Sequence, residues 1–97
     1  MDRLELKLKE IIPECDNKFT VIQQLYKVLE ELAEVETEIK NNNREKTLYE
    51  LIDVFHSFVN VFHKIGYSDK EINIAIKKCI EKNKIRGYYK YEWKRYK

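Results

Sequence analysis

Residues 20–40 read TVIQQLYKVLEELAEVETEIK, and this stretch decides the fold class. Apolar side chains recur in it at alternating steps of four and three residues, namely Val21, Leu25, Val28, Leu32, Val35 and Ile39. This spacing predicts one apolar face of an α-helix, because an α-helix turns once in about 3.6 residues. Three asparagines at 41–43 then end the predicted helix, since asparagine competes for backbone hydrogen bonds and tolerates a left-handed cap.

The same periodicity predicts three more helices around this one. The first covers residues 2–12 and stops at Pro13, which cannot continue a helix. The third opens with a capping box at residues 47–50 and ends near Gly66, and the fourth covers about 68–84. No segment alternates apolar and polar residues as a strand would. We therefore predict an all-α fold, a bundle of four or five helices.

Composition supports a single helical domain. The chain has 97 residues, 37% of them charged, with two glycines and one proline, which is typical of helices with solvated faces. We expect one domain over residues 1–97. Its N-terminus has no secretory signal and its sequence no apolar run of about 18 residues, so we expect a cytoplasmic protein without a membrane partner. Cys15 and Cys79 have no metal-binding or redox spacing.

The charge is unevenly distributed. Residues 82–97 hold seven basic residues and one acid, a net +6, which leaves −4 on the rest of a chain whose total is +2. The aromatic tail at 88–97 could mark nucleic-acid binding. The more ordinary explanation is a tail whose rings dock on the body, so we do not expect nucleic acid as a partner. A third explanation is that the basic residues bind a polyanionic small substrate.

Five acids on two consecutive helices form the strongest chemical pattern. Glu30, Glu31 and Glu34 share one side of the second helix, and Glu50 and Asp53 share one side of the third. Like charges at these spacings destabilise a helix by a few tenths of a kcal/mol per pair. Carboxylates are the ligands that Mg²⁺ takes together with substrate phosphates. Two plainer explanations stay open: solvated glutamates on the second helix, and capping by Glu50 on the third.

These residues resemble a known family. Glu-Glu-x-x-Glu, then fifteen residues, then Glu-x-x-Asp is similar to the signature of the MazG-like all-α nucleoside triphosphate pyrophosphohydrolases. Lys27 matches the lysine that often leads into the motif, and residues 82–86 are similar to the family's basic segment that contacts phosphates. The resemblance covers roughly residues 20–87. Ala33 stands where many members have glycine.

The resemblance implies a function and a set of site residues. The expected enzyme hydrolyses an NTP or dNTP to the monophosphate and pyrophosphate, with Mg²⁺, or Mn²⁺ in its place. The implied metal ligands are Glu31, Glu34, Glu50 and Asp53. The implied catalytic residues are Glu30 and Glu31, one of which would orient or deprotonate the attacking water. The implied substrate-binding residues are Lys27, Lys82, Asn83 and Arg86.

Two other functions remain open at this point. One is a non-catalytic helical interaction module that binds a protein or nucleic acid through the basic aromatic end. The other is half of a di-iron site, suggested by Asp53-x-x-His56, although no second copy of that motif exists in the sequence.

We also expect a homo-oligomer, a dimer or a tetramer. If the apolar stripe of the second helix packed on that of the third, the two acid sets would point away from one another. The third helix carries a second apolar line that one small bundle cannot cover, consisting of Val54, Phe58, Val61 and Ile65. Another subunit covering this line would let the acids converge, with Phe58 or Val61 near the interface. Members of the family are commonly dimers or tetramers.

Overall fold

The computed structural model describes residues 5–90, which form four α-helices and no strand. The helices are α1 (Leu8–Ile11), α2 (Val21–Lys40), α3 (Arg44–Ile65) and α4 (Asp69–Ile85). The predicted all-α fold class is confirmed. No helix among these residues is long and apolar enough to cross a membrane. Residues 91–97, which include most of the basic aromatic tail, lie outside the described part of the chain.

The described residues fall into two compact units. One comprises residues 8–66, and the other comprises residues 5–7 together with 67–90. The expectation of a single domain over 1–97 stays a prediction.

The first helix differs from the prediction over residues 2–12. In the described part of the chain it covers Leu8–Ile11, and residues 5–7 are not helical, while residues 2–4 lie outside the described residues. The reason lies in the backbone of Leu6, whose N–H donates to Asn73 Oδ1 and whose C=O accepts from Asn73 Nδ2, both at 2.8 Å. A side-chain amide thus satisfies both polar groups of a residue that was expected to join the helical ladder.

The start of α3 also differs from prediction. The N-cap is Asn43, whose side-chain oxygen accepts from the N–H of Lys46 at 3.0 Å. Thr47, the predicted cap, lies inside the helix and donates its hydroxyl to the C=O of Asn43 at 2.7 Å. The capping box predicted at residues 47–50 is therefore wrong. Glu50 is an interior helical residue, and capping does not explain its presence.

Helices α2 and α3 form an antiparallel hairpin around the short turn at residues 41–43. Asn42 takes the left-handed conformation there, with φ of 54°. Buried and half-buried side chains at alternating steps of four and three form the seam between the helices. On α2 these are Gln24, Val28, Glu31 and Val35, and on α3 they are Glu50, Val54, Ser57 and Val61. The Gln24 amide crosses the seam and donates to the C=O of Ser57 at 3.0 Å.

The apolar stripe predicted on α2 is only partly buried. Val28 and Val35 are each 6% exposed, whereas Leu25, Leu32 and Ile39 are 41%, 45% and 57% exposed. At about 100° per residue, the centre of the seam lies about 50° from the centre of the stripe, and the seam includes polar residues. The face of α2 that contacts α3 thus shares Val28 and Val35 with the stripe but leaves Leu25, Leu32 and Ile39 largely outside the contact.

The chain before α2 packs on the far end of α3. Asn60 is fully buried; its side-chain oxygen accepts from the N–H of Cys15 at 2.7 Å, and its amide donates to the C=O of His56 at 3.0 Å. His63 is buried nearby and donates through Nε2 to the C=O of Ile12 at 3.0 Å. These bonds fix residues 12–15 against α3.

In the other unit, the capping box predicted at the start of α4 is confirmed. Ser68 accepts from the N–H of Glu71 at 3.1 Å, and the Glu71 carboxylate accepts from the N–H of Ser68 at 3.0 Å. The hydrogen bonds from the Ser68 backbone and side chain lower the pKa of Glu71 below its ordinary 4.5.

Candidate metal centre

The hairpin brings three carboxylates together. Glu31 on α2 and Glu50 and Asp53 on α3 each offer an oxygen atom, and these atoms all lie within 4.8 Å of one another. Glu31 and Glu50 meet because both occupy the seam, and Asp53 lies one turn beyond Glu50 on the same flank. The acids therefore converge within one chain. The acids do not need a second subunit to converge, contrary to expectation, because α2 and α3 do not pack through the centres of their apolar stripes.

Glu34 adds a fourth carboxyl group at the same place. It lies within hydrogen-bonding reach of Glu50, and this contact is the largest cause that raises the pKa of Glu50 above 4.5. Partial desolvation raises that pKa further, and so does repulsion from Glu34, Asp53 and Glu31. The cluster is thus an environment that resists a full set of negative charges and favours a bound proton or cation.

One buried oxygen atom of this cluster lacks a hydrogen-bond partner. Oε2 of Glu50 is buried, and no residue in the described part of the chain gives it a hydrogen bond. An unpaired buried carboxylate oxygen costs free energy, because it has lost its water without gaining a partner. A cation held between the carboxylates would supply that partner.

Glu31 is held in place from two sides. Its side chain is 13% exposed, and its Oε1 lies 3.7 Å from Lys27 Nζ and 3.4 Å from Ser57 Oγ, which donates to it. Lys27 also lies 3.7 Å from Glu30 Oε2, and the Glu30 side chain is 72% exposed. Glu30 therefore lies at the solvent edge of the cluster, joined to Glu31 through one ammonium group.

The remaining predicted site residues lie in the other unit. Lys82 and Asn83 are near the end of α4, and Arg86 is its C-cap. The guanidinium of Arg86 lies over the ring of Tyr88, 5.8 Å from its centre, and Asn83 donates to Cys79 Sγ at 3.6 Å. Binding of substrate by Lys82, Asn83 and Arg86 stays a prediction.

The carboxylate cluster contains no histidine within residues 5–90. His56, the partner of Asp53 in the di-iron alternative, has its Nε2 3.9 Å from Cys15 Sγ. An all-oxygen cluster favours a hard cation over the mixed Glu and His set of a di-iron centre.

Sequence reasoning missed two residues that support the cluster, Ser57 and Gln24. The Ser57 hydroxyl donates a hydrogen bond to Glu31. The Gln24 amide donates a hydrogen bond to the C=O of Ser57 and so links this residue to α2. A signal for them exists in the sequence, since Gln24 and Glu31 are seven residues apart, as are Glu50 and Ser57. A seven-residue repeat of polar side chains indicates a helix–helix seam that contains polar groups.

Comparison of the chain with models of known families, with curated proteins and with solved structures gives no match. The resemblance to the MazG-like enzymes therefore rests on the residues and spacings named above.

Proposed function

We propose that this protein is a Mg²⁺-dependent nucleoside triphosphate pyrophosphohydrolase, which converts an NTP or dNTP to the monophosphate and pyrophosphate. The observation that supports this most is the group of three carboxylate oxygens, within 4.8 Å of one another, contributed by two helices. They belong to the residues whose order and spacing resemble the family signature.

The cluster fits Mg²⁺ chemically. Among residues 5–90 it offers only oxygen ligands, and none of these residues donates a hydrogen bond to the buried Oε2 of Glu50. Mg²⁺ prefers oxygen ligands, keeps several waters and is commonly shared with substrate phosphates. Mn²⁺ accepts the same ligands and would replace it. Glu31, Glu50 and Asp53 would hold the cation, with Glu34 beside Glu50.

The bound cation would neutralise charge that develops on the phosphates. Glu30 is suited to take the proton of the attacking water, because its side chain is 72% exposed and is joined to Glu31 through Lys27. Lys27 would keep Glu30 close to Glu31, since its Nζ lies 3.7 Å from an oxygen of each carboxylate. Lys82, Asn83 and Arg86 would bind the polyphosphate.

The products distinguish this reaction from other triphosphate hydrolyses. Attack at the α-phosphorus releases pyrophosphate as one unit, so chromatography of early products should show monophosphate and pyrophosphate from at least one common NTP or dNTP. Malachite-green detection with added pyrophosphatase should give phosphate only when Mg²⁺ or Mn²⁺ is present. Diphosphate and single phosphate as the main early products would reject the mechanism.

The alternative is a non-catalytic helical interaction module in the cytoplasm. The exposed Tyr88 beside Arg86 favours it, because an aromatic ring next to a guanidinium is a common binding feature. Stabilisation by Mg²⁺ without turnover of any common nucleotide would favour this function over the enzyme.

A further inference from the structure

Glu31 and Glu50 are both half-buried in the seam, but they differ in what holds them. Oε1 of Glu31 accepts a hydrogen bond from the Ser57 hydroxyl at 3.4 Å and lies 3.7 Å from Lys27 Nζ. Oε2 of Glu50 receives no hydrogen bond from any residue between 5 and 90. The fold therefore restrains the orientation of the Glu31 carboxylate through groups that are not themselves members of the cluster.

The Ser57 hydroxyl is the more directional of these two contacts. The Lys27 side chain is 44% exposed, and an ion pair of an exposed lysine is weak and tolerates many geometries. Ser57 is only 6% exposed, and a hydrogen bond depends on angle as well as on distance. Loss of this hydroxyl should therefore free the Glu31 carboxylate more than loss of the ammonium group would.

The direction in which Ser57 donates is unusual for its position. A hydroxyl in the middle of an α-helix often donates to the C=O four residues earlier in the same helix. Thr37 does so to Ala33 at 3.2 Å, and Thr47 does so to Asn43 at 2.7 Å. Ser57 instead donates across the seam, so its hydroxyl serves a carboxylate on the other helix.

A buried amide holds Ser57 in turn. Gln24 is 3% exposed, and its Nε2 donates to the C=O of Ser57 at 3.0 Å, while its Oε1 accepts from Asn17 Nδ2 at 3.4 Å. Both ends of the amide are engaged, so it cannot turn over without losing hydrogen bonds. We call Asn17, Gln24, Ser57 and Glu31 the seam network, because these bonds connect the segment before α2 to the cluster through the seam.

Divalent cations differ in how strictly they need their ligands to be placed. Mg²⁺ requires a nearly ideal octahedron with oxygens at about 2.0–2.1 Å, whereas Ca²⁺ takes about six to eight oxygens at roughly 2.3–2.6 Å in flexible arrangements. A carboxylate that is fixed in one orientation therefore favours Mg²⁺. A carboxylate that can swing serves Ca²⁺ nearly as well.

We propose that Ser57 is a positioning residue, which fixes the Glu31 carboxylate through the seam network and so makes the cluster select Mg²⁺ over Ca²⁺. Ser57 acts through Glu31 and does not itself touch the cation. The inference rests on the metal site of the proposed function, but it does not depend on nucleotide hydrolysis, because it concerns the binding of the cation alone.

Metal binding without nucleotide tests this role. Bound Mn²⁺ is measured by loss of the electron paramagnetic resonance signal of the free ion, and competition by Mg²⁺ and by Ca²⁺ then gives the affinity for each. Ser57→Ala should weaken Mg²⁺ binding about 10-fold, the lower end of the range for groups that orient metal ligands. Ca²⁺ binding should weaken by about twofold at most. Gln24→Met should change the ratio of the two affinities in the same direction but less, because the Ser57 hydroxyl remains.

Val35→Ala is the control for loss of packing in the same seam. Val35 is buried one turn beyond Glu31 and takes no part in the seam network. Its truncation should lower stability through a cavity, yet leave the ratio of the Mg²⁺ and Ca²⁺ affinities unchanged. The proposal is overturned by an unchanged ratio in Ser57→Ala, or by an equal change of the ratio in Val35→Ala. An unaltered chain that binds no Mg²⁺ overturns it together with the metal site, whereas Mg²⁺ selectivity lost in Ser57→Ala without any nucleotide hydrolysis by the unaltered chain supports it and rejects only the enzyme.

Discussion

The two flanks of the α2–α3 hairpin belong to the same pair of helices and differ in almost every physical property. One flank gathers Glu31, Glu34, Glu50 and Asp53, where the hydrogen bond with Glu34, partial desolvation and repulsion between the carboxylates raise the pKa of Glu50. The other exposes leucines and phenylalanines at about half of their surface. Each is unfavourable in an isolated hairpin, the first through charge and the second through contact with water. The difference teaches that each flank leaves a surface that the hairpin alone does not satisfy: crowded carboxylates on one side and exposed apolar side chains on the other.

The largest expected effect comes from breaking the acidic flank. Asp53→Asn keeps the side-chain size but removes one charge from the proposed metal site, so nucleotide hydrolysis should fall by at least about 100-fold, in the range found when one electrostatic contact to a transition state is lost. The measurement is the initial rate of monophosphate release at saturating Mg²⁺.

Glu36→Gln is the matched control for this change. Glu36 lies on the same hairpin but on the other flank, paired with Lys40. It should retain most of the activity. A fully active Asp53→Asn enzyme would rule out the assignment of the cluster as the metal site.

The sequence predicts the helices and the acids far better than it predicts how they face one another. Thr20 caps α2 with Gln23, Gly66 ends α3 in the left-handed conformation, and Ser68 caps α4, all local interactions within a few residues. The seam is different, because it depends on which flank contacts the neighbouring helix. The stripe suggested one contact face on α2, yet the contact is rotated from it and includes Glu31 and Ser57 beside Val28 and Val35. Apolar periodicity locates a surface that needs a partner, and that partner need not be the next helix in the chain.

The second prediction concerns Asn60 on α3, which holds the backbone of Cys15. Asn60→Ala removes the acceptor for the N–H of Cys15 and leaves a space in a position that is fully buried. The unfolding free energy should fall by about 2–3 kcal/mol, since an unpaired buried donor and a small cavity both contribute. Urea unfolding followed by circular dichroism measures it. A change below about 0.5 kcal/mol would show that residues 12–15 are not held by Asn60.

The third prediction concerns the charge of Glu50. The pKa of Glu50 is raised above its ordinary 4.5, so the stability that its protonated form contributes is present below 4.5 and is lost as pH rises through the folded-state pKa. At neutral pH without divalent cations, Glu50→Gln should therefore raise the melting temperature. We expect Mg²⁺ to stabilise the unaltered protein, and the same variant should lose this additional stabilisation.

Glu45→Gln provides the control for Glu50→Gln. Glu45 is exposed in the first turn of α3 and is not a member of the carboxylate cluster. Its neutralisation should lower stability slightly, because an acid near a helix N-terminus is favourable. A melting temperature of Glu50→Gln that is lower than that of the unaltered apo protein, with the Mg²⁺ response intact, would show that the cluster is not strained by its charge.

The smallest expected effect comes from Glu71, whose pKa is lowered where that of Glu50 is raised. Backbone and side-chain hydrogen bonds from Ser68 lower the pKa of Glu71, so its contribution to stability is present above 4.5 and is lost as pH falls through the folded-state pKa. Glu71→Gln keeps an oxygen that can accept from Ser68 but removes the charge, and should weaken the protein only above that range. Ser68→Ala removes the cap itself and should cost about 1 kcal/mol across the pH range. Melting curves from pH 3 to 7 should thus show opposite pH slopes for Glu50→Gln and Glu71→Gln, each relative to the unaltered protein. If the melting temperatures of the two variants changed with pH in the same direction, Glu50 in the carboxylate cluster would behave like Glu71 in an ordinary helix cap. The idea that crowded carboxylates raise the pKa of Glu50 would then be wrong.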